Sequence, residues 1–124
     1  MSAKDVKVYV QDILAEIWNA QAFTARIQDA EALAGDRQAL YATVRALEIL
    51  GEAAKKVPAD VKERYPKIAW KEMAGMRDKL IHDCAGTRSG VVWSTVKEDL
   101  PTLKKQMEKV LRDLESGTED AKQA

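Results

Sequence analysis

The sequence is poor in the residues on which many chemistries depend. It has one histidine and one cysteine in 124 residues. A single cysteine excludes an intrachain disulfide and a thiolate metal cluster, and it fits a reducing compartment. A single histidine leaves no standard zinc ligand set, so no metal and no cofactor is expected. Neither sign of charge is in excess: Lys plus Arg and Asp plus Glu both number 20, for a formal net charge of zero. Bulk attraction to nucleic acid is therefore absent, and any polyanion site has to be a local patch offset by acid elsewhere. No apolar run approaches the roughly 18 residues that a bilayer span needs. Met1-Ser2-Ala3-Lys4-Asp5 leads directly into an amphipathic pattern, without the apolar stretch of a signal peptide. A cytoplasmic protein with no membrane partner is the simplest expectation. There is no alternating strand pattern of useful length, no internal repeat and no low-complexity region.

What remains reads as one all-α domain. The length suits a single domain, residues 1–116, and the small polar residues 117–124 are expected to fray. Val6, Val10, Ile13, Leu14 and Ile17 recur at helical spacing from a start near Lys4 or Asp5, and Trp18 is expected to widen this stripe. The pattern weakens through Phe23 and Ile27. Gly35-Asp36 ends a short helix or loop, and Asp36 can cap the next helix. That second long helix is expected over about 36–57, with Leu40, Val44, Leu47, Ile49, Leu50, Ala53, Ala54 and Val57 on its buried side. Gly51 lies inside it. A mid-helix glycine costs about 1 kcal/mol relative to alanine, and close approach of another helix would explain tolerating it. Pro58 closes the segment or opens a short helical turn, and Tyr65-Pro66 is a break. The third core helix is expected over Trp70 to His82, and Ala85 to Gly90 is expected as a loop. Val91 to Leu114 reads as helix, divided at Pro101 because proline favours a first helical turn. The result is a bundle of four main helices plus short ones.

The candidate chemistry lies at Arg77-Asp78-Lys79-Leu80-Ile81-His82. Histidine alone among side chains has an unshifted pKa suited to both taking and giving protons near neutrality. On a helix, Arg77 and His82 are displaced by about 140° around the axis and about 7.5 Å along it. Asp78 and His82, four apart, share a face, so the Asp78 carboxylate could fix one ring nitrogen and leave the other for catalysis. A groove that uses both Arg77 and His82 forms readily where two copies of the helix meet at a two-fold axis. There Arg77 could hold phosphate oxygens and stabilise charge on a phosphorane. His82 could act as general base on an RNA 2′-hydroxyl or as general acid on the leaving 5′ oxygen. The plainer reading of the same residues is a histidine capping a helix C-terminus, with Asp78 paired to a surface lysine. Cys84 reads as a partly buried thiol. Trp70 and Trp93 read as core residues, not as platforms for bases.

Three blocks identify a resemblance: Leu47 to Lys56, Ile68 to His82, and Val92 to Pro101. In order and spacing they resemble the HepT-like (DUF86) family of the HEPN superfamily, over about Val6 to Met107. The resemblance implies a HEPN-type helical bundle that forms a homodimer. It also implies a metal-independent endoribonuclease toxin in a type II or type VII-like toxin–antitoxin module. An MntA-like nucleotidyltransferase would be the antitoxin, and RNA the substrate, with transfer RNA as a target class. The family motif runs from an arginine and a polar residue to a histidine and, two residues later, a tyrosine. Arg77, Asp78 and His82 match as catalytic residues. Cys84 stands where the tyrosine belongs, the residue that the antitoxin modifies with AMP in related systems. Control by tight binding, use of Tyr41 or Tyr65 as acceptor, and a degenerate, non-catalytic protein that binds an antitoxin or RNA all remain open. Around the cleft, Lys79, Arg88, Glu52 and Cys84 are candidate contacts. Arg88 reads as an RNA-backbone contact or a solvated loop charge. Glu48 and Glu52 read as a solvated stripe beside Lys55 and Lys56, or as the cleft's polar border.

Overall fold

A computed structural model describes residues 2–81 and 88–116 of the chain. Helix α1 (Ala3–Phe23) starts on a capping box. The Ser2 hydroxyl accepts from the Asp5 amide at 3.2 Å, and the Asp5 carboxylate accepts from the Ser2 hydroxyl at 2.9 Å. At its other end the buried Thr24 hydroxyl donates back to the Ala20 carbonyl at 2.9 Å, so the polar group costs little. Asp29 caps the short α2 (Ala30–Gly35), and Asp36 caps α3 (Arg37–Lys56) by accepting from the Ala39 amide at 3.0 Å. The cap and limits expected for the second long helix are those found.

Helix α1 is antiparallel to both α3 and α8 (Leu100–Ser116). At one end, the Lys56 ammonium lies 5.9 Å from the centre of the Tyr9 ring, and Lys7 pairs with Glu115 at 3.4 Å. At the other, Lys97 reaches the Thr24 carbonyl at 3.5 Å. Val6, Val10, Ile13, Ile17 and Ala20 are buried against these neighbours, and burial of each large aliphatic side chain contributes about 1.5–3 kcal/mol. Trp18 does not join them. It is 65% exposed, contrary to expectation. The reason is angular: it lies about 100° beyond Ile17, and the smaller residues at i+3 and i+4 spacing already fill the contact with α3 and α8.

After α4 (Ala59–Arg64), the expected third helix is divided into α5 (Trp70–Ala74) and α6 (Met76–Ile81). The division falls at Gly75, whose ψ of −1° departs from the helical path. The Gly75 amide closes α5 on the Lys71 carbonyl at 2.9 Å, and its carbonyl opens α6 by accepting from the Lys79 amide at 3.1 Å. Trp70 is a core residue, 7% exposed, with its indole N–H on the Tyr65 carbonyl at 3.1 Å. Helix α5 packs closely on α3, and Gly51 is the reason it can. A Cβ at that position would lie 2.7 Å from the Met73 carbonyl oxygen.

The last helical arm also departs from expectation. Arg88 to Gly90, expected in a loop, begin α7 (Arg88–Ser94); residues 85–87 lie outside those described. Pro101 does not divide the arm. A π-helical turn at Thr95–Asp99 joins α7 to α8, and Ser94 and Leu100 on either side keep helical angles. The Leu100 amide donates to the Thr95 carbonyl, five residues back. The widened turn accommodates a proline ring that would collide with the carbonyl four residues earlier in a regular helix. Val92, Val96, Leu100, Leu103, Met107, Val110 and Leu114 complete the core. Among the described residues there is no strand, and no helix is long and apolar enough to cross a membrane.

Candidate active site

Helix α6 is short, and its placement depends on its buried side. Met76 and Leu80 face the core, and the contact with α3 holds the helix in place. The residues between them, Arg77, Asp78 and Lys79, are exposed. None of the three enters an ion pair among the described residues. The Arg77 guanidinium is a permanent cation that no carboxylate among the described residues neutralises. Asp78, next to it, likewise has no ion-pair partner among the described residues. The plainer reading has Asp78 paired with a surface lysine; among the described residues it pairs with none.

His82 and Cys84 lie outside the described residues, so the Asp78–His82 hydrogen bond and the surroundings of the thiol do too. Arg88 is the first residue of α7, which packs near α6. Glu52, on α3, is exposed and lies 3.6 Å from Lys55, as the solvated-stripe reading expects. Glu48 is half-buried on the same helix. Trp93 is half-buried against the core with the Lys97 ammonium 4.8 Å over its ring, which leaves that face unavailable for stacking on a base.

The two tyrosines considered as substitutes for the phenol at position 84 differ sharply. Burial and a 2.7 Å hydrogen bond from its hydroxyl to Asp113 push the Tyr65 phenol up to about 12. A phenol so held in its neutral, donating form is a poor nucleophile. Asp113 is held below its ordinary value by that bond and by one from Lys109 at 3.0 Å. Tyr41 is 55% exposed and accepts from Arg37 at 2.8 Å. It stands ten positions before Gly51 on α3, about 15 Å along the axis from the point where α5 packs. Among the described residues no group of three or more His, Cys, Asp or Glu side chains could hold a metal ion.

An exposed arginine–aspartate pair on a short helix is a weak signature alone. The comparison with known sequences supplies the family: the profile described as "Ribonuclease HepT-like" matches residues 13–110. The chain belongs to the HepT-like family. A Methanocaldococcus jannaschii protein named as an RNase is 44% identical over 115 residues, covering 93% of this chain and 98% of its own. A second M. jannaschii protein so named is 41% identical over 121 residues, covering 98% of this chain and 99% of its own. A Thermococcus cleftensis protein named as ribonuclease HepT is 47% identical over 104 residues, 84% of this chain and 94% of its own. No solved structure matches. The HepT-like match takes in α3, α5, α6, α7 and the π turn, and so includes every candidate site residue named above.

Proposed function

We propose that this HepT-like protein is a metal-independent endoribonuclease toxin that acts as a homodimer. The observation that carries the reading is the exposed Arg77, without an ion-pair partner among the described residues, beside Asp78 on α6 and inside the span matched by a ribonuclease family. In the proposed dimer, two α6 helices border one groove and Arg77 grips the scissile phosphate. The RNA 2′-hydroxyl attacks phosphorus and loses its proton to one His82. The bond from phosphorus to the 5′ oxygen breaks, and the second subunit's histidine protonates that oxygen. The products are a 2′,3′-cyclic phosphate and a 5′-hydroxyl. DNA, which lacks the internal nucleophile, is not cut. Arg77 also stabilises the phosphorane's added charge, Asp78 orients His82, and Lys79 and Arg88 hold flanking phosphates. Glu52 forms part of the acidic border.

An MntA-like nucleotidyltransferase is the proposed antitoxin, in a type II or type VII-like module. Cys84 favours control by binding over AMP transfer, since a thiol replaces the phenol and Tyr65 is engaged by Asp113. The same substitution supports a second reading, a non-catalytic HepT-like subunit that binds the antitoxin or RNA. The test is cleavage of a transfer-RNA pool in EDTA, with His82→Ala and Arg77→Ala alongside. Cleavage that needs both residues and leaves cyclic-phosphate ends supports the nuclease. Binding without cleavage by a folded dimer supports the second reading.

A further inference from the structure

A cleft of about 370 Å³ lies between α5–α6 and the π turn with α8. Arg77, Asp78 and Lys79 are not among its lining residues. Its floor is apolar, from Met73, Met76, Leu100 and Leu103. Its rim carries three carboxylates, Glu72, Glu98 and Asp99, against one cation, Lys67. Among the described residues none of the three carboxylates enters an ion pair. Nor do they converge on a metal position.

Thr95 supplies the second, independent observation. It lines the cleft and is 3% exposed, yet its hydroxyl has no hydrogen-bond partner among the described residues. The other two buried threonines both donate to a carbonyl four residues back, Thr24 to Ala20 and Thr43 to Ala39. Thr95 begins the π turn, where the helix is widened. A buried hydroxyl left unpaired is costly unless something binds it.

We propose that this cleft is a binding site for an alkylammonium group. The apolar stem lies on the two methionines and two leucines, and the ammonium donates to the rim carboxylates and to the Thr95 hydroxyl oxygen. The charge balance of the rim selects a cation, the apolar floor selects one with an aliphatic stem, and the spread of the carboxylates selects an organic cation over a metal ion. A linear polyamine and a lysine side chain from a partner protein share this chemistry.

The experiment is NMR of the full-length protein labelled at its methionine methyl groups, titrated with n-hexylamine, n-hexanol and hexanoate. The expected result is that hexylamine shifts Met73 and Met76 and leaves Met107 in place, while hexanol binds weakly and hexanoate does not bind. Glu98→Gln with Asp99→Asn weakens hexylamine about fivefold. Thr95→Val weakens it about tenfold while raising the melting temperature of the free protein, which a merely damaged fold would not do. Equal binding of hexanoate, no shift with hexylamine, or unchanged affinity in Thr95→Val overturns the proposal. Titration with 1,6-diaminohexane and with N-acetyl-lysine methylamide then separates the sources. A preference for the diamine identifies a free polyamine, a preference for the lysine derivative identifies a protein partner, and failure of both overturns the site.

Discussion

Replacing Gly51 with alanine tests how α5 and α6 are held. On an exposed helix this change stabilises by about 1 kcal/mol, because alanine restricts the unfolded chain and favours helix. Here the added Cβ would stand 2.7 Å from the Met73 carbonyl oxygen, where ordinary contact begins at 3.4 Å. The neighbour is backbone, so no side chain can rotate away; α5 as a whole has to move off α3. Overpacking of this kind costs about 1–3 kcal/mol, and the rigid neighbour places it near the upper end. Set against the propensity gain, the net loss is about 1–2 kcal/mol, or roughly 5–10 °C in melting temperature for a chain of this length. Urea unfolding is the assay: the midpoint should fall with the slope unchanged. Gly35→Ala is the control. Nothing lies within 4 Å of a Cβ there, so that variant should be neutral or gain about 0.4–1 kcal/mol. A Gly51→Ala protein as stable as the parent would refute the idea that close approach fixes this glycine.

Adjacent positions on α1 should behave oppositely: Ile17→Ala, in the core, should cost about 2–5 kcal/mol, and Trp18→Ala should fall within about 0.5 kcal/mol of the parent, both by thermal unfolding. Absorbance titration should find the Tyr65 phenol ionising near 12, and Asp113→Asn should bring it down towards its ordinary 10.0. Because the folded value is raised, this phenol's stabilising share is complete below 10.0 and is lost as pH rises through about 12. Asp113 has the opposite sign: its folded value is lowered, so its share is present above 3.8 and is lost as pH falls through the folded value, and solvent screening keeps it small because the side chain is 42% exposed. Arg77→Ala should leave unfolding within about 0.5 kcal/mol of the parent, since the side chain is exposed and makes no ion pair among the described residues, while abolishing RNA cleavage; retained cleavage would remove Arg77 from the mechanism.

The bundle was legible because its signals are local. Asp36 announces α3, Gly51 announces a close crossing, and the Arg77-to-His82 spacing with its flanking blocks announces the family. The misreadings share a cause, since each depends on neighbours that a linear pattern does not contain. Trp18 belongs to an apolar run, and only the width already taken by α3 and α8 turns it outward. Gly75 reads as a residue inside a helix until its ψ is known. Pro101 reads as a breaker, although one signal did exist: Val92, Val96 and Leu100 are spaced by two successive fours before the usual alternation of threes and fours resumes at Leu103. Such a run matches a turn wider than 3.6 residues. The site was legible in part. Arg77, Asp78 and Lys79 stand exposed on one short helix, whereas the engagement of Tyr65 by Asp113, 48 positions away, has no trace in the local sequence.

The π turn also makes the last arm unusual with respect to chain length. A π turn is geometrically an α-helix that has absorbed one surplus residue. Removing one residue elsewhere in α1, α3 or α8 would rotate everything beyond it by about 100° and take a core face into solvent. Removing one from Thr95–Asp99 would spare the core face that rotation, but the regular helix that results would bring the Pro101 ring against the carbonyl four residues earlier. It would also draw in the wall of the cleft that the wide turn holds open. The surplus residue and Pro101 are therefore tied together: a deletion in the turn would keep the fold only with Pro101 replaced, and it would be registered at the cleft before it was registered in the core.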